Sequence, residues 1–187
     1  GYRAAAFTSQ EMADAVRFGD FERTDLLALN AHEAVALLRA WGAPPAAGGA
    51  GDAPPAEVAA ALAGLLSARS SPRAFLMTAG KDGSWSWWGD ALLHEPAIPV
   101  DAVGTAGAGD AHLAGLLAGL ARGYEPLSAH RLGALVAAAS VTSPHTIHPT
   151  LDRRALDAAA ERASWGSGGL EELIGVASGS RCRGGDA

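Results

Sequence analysis

Short apolar runs alternate with stretches of helical periodicity, and this alternation limits the possible folds more than any other feature of the chain. Residues 3–8, 25–29 and 73–77 are brief apolar runs suited to buried strands. Between them, residues 31–41 carry Val35, Leu37, Leu38 and Trp41, and residues 56–68 carry Val58, Leu62, Leu65 and Leu66, at helical spacing. Residues 9–18 read as a further helix with Ser9 as its cap. Strands alternating with helices predict an α/β fold with a mainly parallel central sheet, covered on both faces.

Two more strands are expected at residues 84–88 and 92–100, forming a hairpin around Gly89-Asp90. Helices are expected after residue 110, over 128–140, and over 152–165 with Asp152 near the start. Residues 42–55 are rich in Ala, Gly and Pro and read as a loop or surface insertion. Residues 1–165 form one domain in this reading, and 166–187, with little periodicity, form a flexible tail.

With 187 residues the chain can bury one sizeable core. Its net charge of −6 and lack of a basic stripe argue against nucleic acid or an anionic membrane as partner. The single cysteine, Cys182, gives no disulfide framework and no zinc-type cluster. His145 and His148 have the closest approach to ligand spacing, and such a pair more often lines a loop than binds a metal. No apolar run reaches the ~18 residues that span a bilayer, and no secretory signal is visible, so a cytoplasmic protein is the expectation.

The segment Gly104-Thr-Ala-Gly-Ala-Gly-Asp110, followed at once by an apolar-periodic stretch, carries the clearest chemical signal. A helix N-terminus presents unpaired N–H groups and a partial positive charge, which suits a phosphate or a developing oxyanion. Glycines allow close backbone approach, and a carboxylate at the same mouth can act as a general base on a hydroxyl. The plainer alternative is a loop ended by an Asp cap. A Walker loop would end in Gly-Lys-Ser/Thr where Asp110 and Ala111 stand, and a dinucleotide fingerprint would have a small residue where His112 stands. Two other polar stretches, residues 30–33 and 78–83, also follow apolar runs, at the strand ends where α/β sheets bind ligands.

Asn30-Ala-His-Glu33, Thr78-Ala-Gly-Lys-Asp-Gly83 and Gly107-Ala-Gly-Asp110 occur in the order found in the PfkB (ribokinase-like) carbohydrate kinases, and the chain resembles the C-terminal portion of that family over about residues 25–149. The resemblance implies a three-layer α/β/α sandwich whose N-terminal part and lid lie outside this chain. It implies ATP-dependent phosphorylation of a hydroxyl on a sugar or nucleoside, with Mg²⁺. Asp110 would be the general base, and the amides of Ala108, Gly109 and Asp110, shaped by Gly107 and Gly109, would form the anion hole. Thr78, Gly80, Gly83 and Thr105 would lie along the nucleotide, with residues 140–148, including His145, beside the adenine.

Asn30 and Glu33 would help hold the magnesium, largely through its waters; the alternative for Glu33 is a first-turn acid that suits the helix dipole. Family members often pair into homodimers through the lid, so the complete protein is expected to do so; because the family's N-terminal half supplies acceptor binding and the lid, this chain alone is expected to show little phosphorylation. Three departures stand out. Gly104 replaces the family's frequent Asp, which puts monovalent-cation activation in doubt; His112 replaces a frequent aromatic; and Pro144-His-Thr-Ile replaces a Pro-Gly-Ala turn. A nucleotide-binding module that acts without catalysis is the competing reading.

Overall fold

A computed structural model describes residues 2–43, 53–146 and 148–163. The interior of the 42–55 loop, the end of the last helix at Trp165 and the 166–187 tail lie outside the described residues. Five strands, β1 (Ala4–Ala6), β2 (Leu26–Asn30), β3 (Ala74–Thr78), β4 (Ser84–Trp88) and β5 (Ala91–Glu95), form one sheet in sequence order. Six helices accompany them: α1 (Met12–Phe18), α2 (Ala31–Ala40), α3 (Pro55–Ser67), α4 (Ala108–Ala121), α5 (Pro126–Ser140) and α6 (Arg153–Arg162).

The sheet is mixed. β1, β2 and β3 pair in parallel, β4 pairs antiparallel with β3, and β5 pairs antiparallel with β4, so that β4 alone runs against the other strands. The cause is connection length. Helices carry the chain back between the first three strands, but only residues 79–83 join β3 to β4, too few for the dozen or so that a parallel crossover takes. Gly89 and Asp90 then close a two-residue hairpin, with Gly89 at φ 72° and Trp88 opposite Ala91. β5 stops at Glu95 instead of running on to residue 100, because Pro96 and Pro99 offer no N–H to a ladder.

The alternation along β2 and β3 divides the core in two. Leu27, Leu29, Phe75 and Met77, with Trp85 and Trp87 of β4, face α1, α2 and α3. Leu26, Ala74 and Leu76 face the opposite way, onto Leu116 of α4 and Ala129 of α5. Helices therefore cover both faces, as the near-continuous apolar character of β2 and β3 requires. α4 and α5 pack closely through small residues. A Cβ at Gly115 would stand 2.8 Å from the Gly133 Cα, and one at Gly119 would stand 2.9 Å from the Ala129 Cα.

Several helix starts differ from the sequence reading. Ser9 does not cap α1. The chain turns through Ser9 and Gln10, and the Glu11 carboxylate accepts from the Thr8 N–H at 2.9 Å and hydroxyl at 2.8 Å, so the helix opens at Met12. α5 starts two residues earlier than expected because Pro126 takes the first helical position, where its missing N–H costs nothing. Asp152 does cap α6, its Oδ1 accepting from the Ala155 N–H at 3.0 Å. No helix among the described residues is long and apolar enough to cross a membrane.

Candidate active site

Three sequence motifs meet at the C-terminal ends of β2 and β3. Asn30 closes β2 and is the register partner of Thr78, which closes the parallel strand β3. Thr78 in turn faces α4, and a Cβ built on Gly109 would lie 3.9 Å from its Oγ1. Gly107 sits at the N-cap of α4 with φ 80°, a conformation that favours glycine. A Cβ there would meet the Thr146 carbonyl oxygen at 2.8 Å and its Cγ2 at 2.9 Å. Gly104 and Val103 run along the other side of the same loop, donating to the Val141 carbonyl at 3.2 and 2.8 Å. The mouth of α4 is thus held between Thr78 and residues 141–146.

Helix α4 begins earlier than its apolar periodicity indicated, at Ala108. Asp110 is therefore the third residue of the first turn and not its cap. Its side chain is exposed, and no hydrogen bond ties it to other described residues. The Ala108 N–H donates to the Thr105 carbonyl at 3.2 Å, and the Ala111 N–H to the Gly107 carbonyl at 2.9 Å. The amides of Gly109 and Asp110 have no acceptor among the described residues. Two unpaired donors and a free carboxylate therefore share one helix mouth, where the helix dipole adds partial positive charge.

Asn30 and Glu33 form a reciprocal capping box at the start of α2. Asn30 Oδ1 accepts from the Glu33 N–H at 2.9 Å, and Glu33 Oε2 accepts from the Asn30 N–H at 2.7 Å. The first-turn reading of Glu33 is realised, with one carboxylate oxygen engaged. Gly80 has φ 57°, and nothing would touch a Cβ placed on it. Gly83, at φ 88°, is closed in by the backbone of residues 95–97, where a Cβ would collide with the Glu95 carbonyl, so that glycine is required for packing. Thr105 and His145 are both exposed, and the His145 N–H donates to Ser143 Oγ at 3.2 Å.

A family model described as pfkB family carbohydrate kinase matches residues 6–153, most of the chain. The chain belongs to the pfkB carbohydrate kinase family. It is 54% identical over 56 residues to a fructokinase of Klebsiella pneumoniae, covering 30% of this chain and 18% of that protein. It is 36% identical over 140 residues to the bifunctional protein HldE of a Caulobacter species, covering 73% of this chain and 28% of that one. Among solved structures, phosphofructokinase-2 of Escherichia coli matches with a TM-score of 0.66 at 16% identity, over 85% of this chain and 47% of that one. This pfkB chain therefore spans less than half the length of these relatives.

One feature near this candidate site was not legible in the motifs. His130 bridges two serines of β4 from 44 and 46 residues away, with Nε2 2.8 Å from Ser84 Oγ and Nδ1 2.9 Å from Ser86 Oγ. The one available signal was the alternation of Ser84 and Ser86 with tryptophans, which places hydroxyls on an otherwise buried strand face.

Proposed function

We propose that this chain supplies the phosphate-binding and general-base portion of an ATP-dependent kinase that phosphorylates a hydroxyl of a sugar or nucleoside. The observation that carries the reading is the mouth of α4, where the unpaired Gly109 and Asp110 amides stand beside the free Asp110 carboxylate. Asp110 takes the proton of the acceptor hydroxyl as its oxygen attacks the γ-phosphorus and the bond to the ADP leaving oxygen breaks. The two amides receive the charge that gathers on the transferring phosphoryl oxygens. Gly107 shapes the loop against Thr146, and Gly109 keeps a side chain out of that space.

Thr78 borders the same mouth, and Thr78 and Gly80 would lie along a nucleotide phosphate run, with Thr105 and the His145 segment beside the rest of the nucleotide. Magnesium, when bound, neutralises charge on those phosphates. Glu33, with an oxygen left over from the capping box, and Asn30 would reach it through waters, as suits an ion that keeps much of its hydration shell. Acceptor recognition belongs to parts of the complete protein outside this chain, and the chain alone is expected to be inactive. ADP release by the complete protein, measured with ATP, Mg²⁺ and a panel of sugars and nucleosides, tests the reading. Acceptor-dependent ADP release supports it; ATP binding without acceptor-dependent release from any member points to a non-catalytic nucleotide-binding module.

A further inference from the structure

A buried histidine bridge lies directly beneath the mouth of α4. Trp85 and Trp87 fill one face of β4, and Ser84 and Ser86 point to the other, where the His130 ring of α5 is fully enclosed between them. The Trp88 indole N–H donates to Ser86 Oγ at 3.1 Å. That leaves Ser86 Oγ its own proton and a second lone pair for Nδ1, so either tautomer of the ring can be satisfied at both serines. A neutral imidazole, with one donor and one acceptor, matches both serines. Burial, first, and the neighbouring His112 of α4, His94 of β5 and Arg131 of α5 all favour that neutral form; the Glu95 carboxylate of β5 is taken up by Arg131 at 3.1 Å.

These contacts close into a ring. Ser84 is the register partner of Thr78, and Thr78 faces Gly109. One turn along α4 from Gly109 lies His112, whose ring centroid is 5.3 Å from that of His130. Gly133, one turn beyond His130 on α5, admits α4 to this distance, since a Cβ there would stand 2.5 Å from His112 Cδ2 and 2.7 Å from its carbonyl oxygen. The path Thr78–Gly109–His112–His130–Ser84–Thr78 joins sheet, α4 and α5 and passes through Gly109, whose amide is unpaired. We propose that His130 is a positioning residue for phosphoryl transfer, its Nε2–Ser84 bond fixing the mouth of α4 over the end of β3. This rests on the kinase reading given above.

The two arms of the bridge can be separated in the complete protein. In His130→Gln the side-chain nitrogen reaches the place of Nε2 and keeps the Ser84 arm, whereas in His130→Asn it reaches only the place of Nδ1. His130→Gln is expected to keep kcat within about 3-fold of wild type, while His130→Asn and Ser84→Ala lose about 10-fold or more, with acceptor KM unchanged, as misplacement of a mouth by a fraction of an ångström implies. Ser86→Ala, an equal loss of a buried hydroxyl, is expected to keep kcat. Exchange of the Ala111 amide, which closes the first turn of α4, is expected to quicken in His130→Asn and Ser84→Ala and to stay unchanged in Ser86→Ala.

Equal losses in the two histidine variants, or in the two serine variants, overturn the proposal. If the histidine variants fail to fold, the serine pair decides. Amide exchange is read without substrate, so a wild type that transfers no phosphoryl group refutes the kinase reading while the exchange pattern still judges the bridge.

Discussion

Replacing Gly107 by alanine tests the geometry of the α4 mouth in one step. Two costs add. At φ 80° a side chain takes the left-handed conformation, about 1–2 kcal/mol for an L-residue. The new methyl also lands 2.8 Å from the Thr146 carbonyl oxygen and 2.9 Å from its Cγ2, contacts that force a backbone shift worth about 1–3 kcal/mol. Gly80→Ala isolates the first cost, because Gly80 has φ 57° and open space around its Cα. Urea unfolding of both variants is therefore expected to show Gly107→Ala less stable than Gly80→Ala by about 1–3 kcal/mol, at unchanged m-value. In the complete protein, phosphoryl transfer by Gly107→Ala is expected to fall by roughly 10²-fold, the order expected for a reacting group displaced by about 1 Å. Equal stability of the two variants refutes the packing of Gly107 on Thr146, and full activity in Gly107→Ala refutes a role for the loop's shape.

Three further outcomes follow from the same geometry. Gly109→Ala meets only Thr78 Oγ1 at 3.9 Å, so stability is expected to hold or to rise by under about 1 kcal/mol while turnover falls at least 10-fold; a fully active variant contradicts the phosphate-binding role of this mouth. Glu33→Gln keeps an acceptor for the Asn30 N–H, so thermal stability is expected to stay within about 0.5 kcal/mol while the Mg²⁺ concentration for half-maximal activity rises; an unchanged Mg²⁺ requirement leaves Glu33 as a capping residue only. Burial lowers the His112 pKa to about 4, so between about 6.5 and 4 the unfolded chain holds a proton that the native ring refuses. Stability is thus expected to decline as pH falls through that window, by about 1.4 kcal/mol per pH unit for this ring, with urea midpoints as the check; a decline equally steep in His112→Leu contradicts it.

The parts of the fold set by local chemistry were legible in the chain. Asn30 and Glu33 announce the start of α2 because a capping box lies within four residues, and Gly89-Asp90 announces the β4–β5 hairpin for the same local reason. The mixed sheet was half visible: the hairpin could be read, but the antiparallel pairing of β3 with β4 follows from the shortness of the connection over residues 79–83, which an apolar pattern does not display. Apolar periodicity in α4 starts at Ala111, whereas the helix is opened by Gly107 in a left-handed conformation that a sequence does not display. That shift matters, since it moves Asp110 from cap to first turn. The His130 bridge joins residues 44 and 46 positions apart, and no local pattern encodes such a pairing.

In the proposed reaction Asp110 takes the proton of the attacking hydroxyl. The most direct test is single-turnover phosphoryl transfer by the complete protein and its Asp110→Asn variant, with ATP affinity measured alongside. Asparagine keeps the size and the helix N-terminal position but cannot accept that proton. A fall in rate of ~10²–10⁴-fold at unchanged ATP affinity is the predicted result. A variant that transfers phosphoryl groups as fast as the wild type contradicts the account.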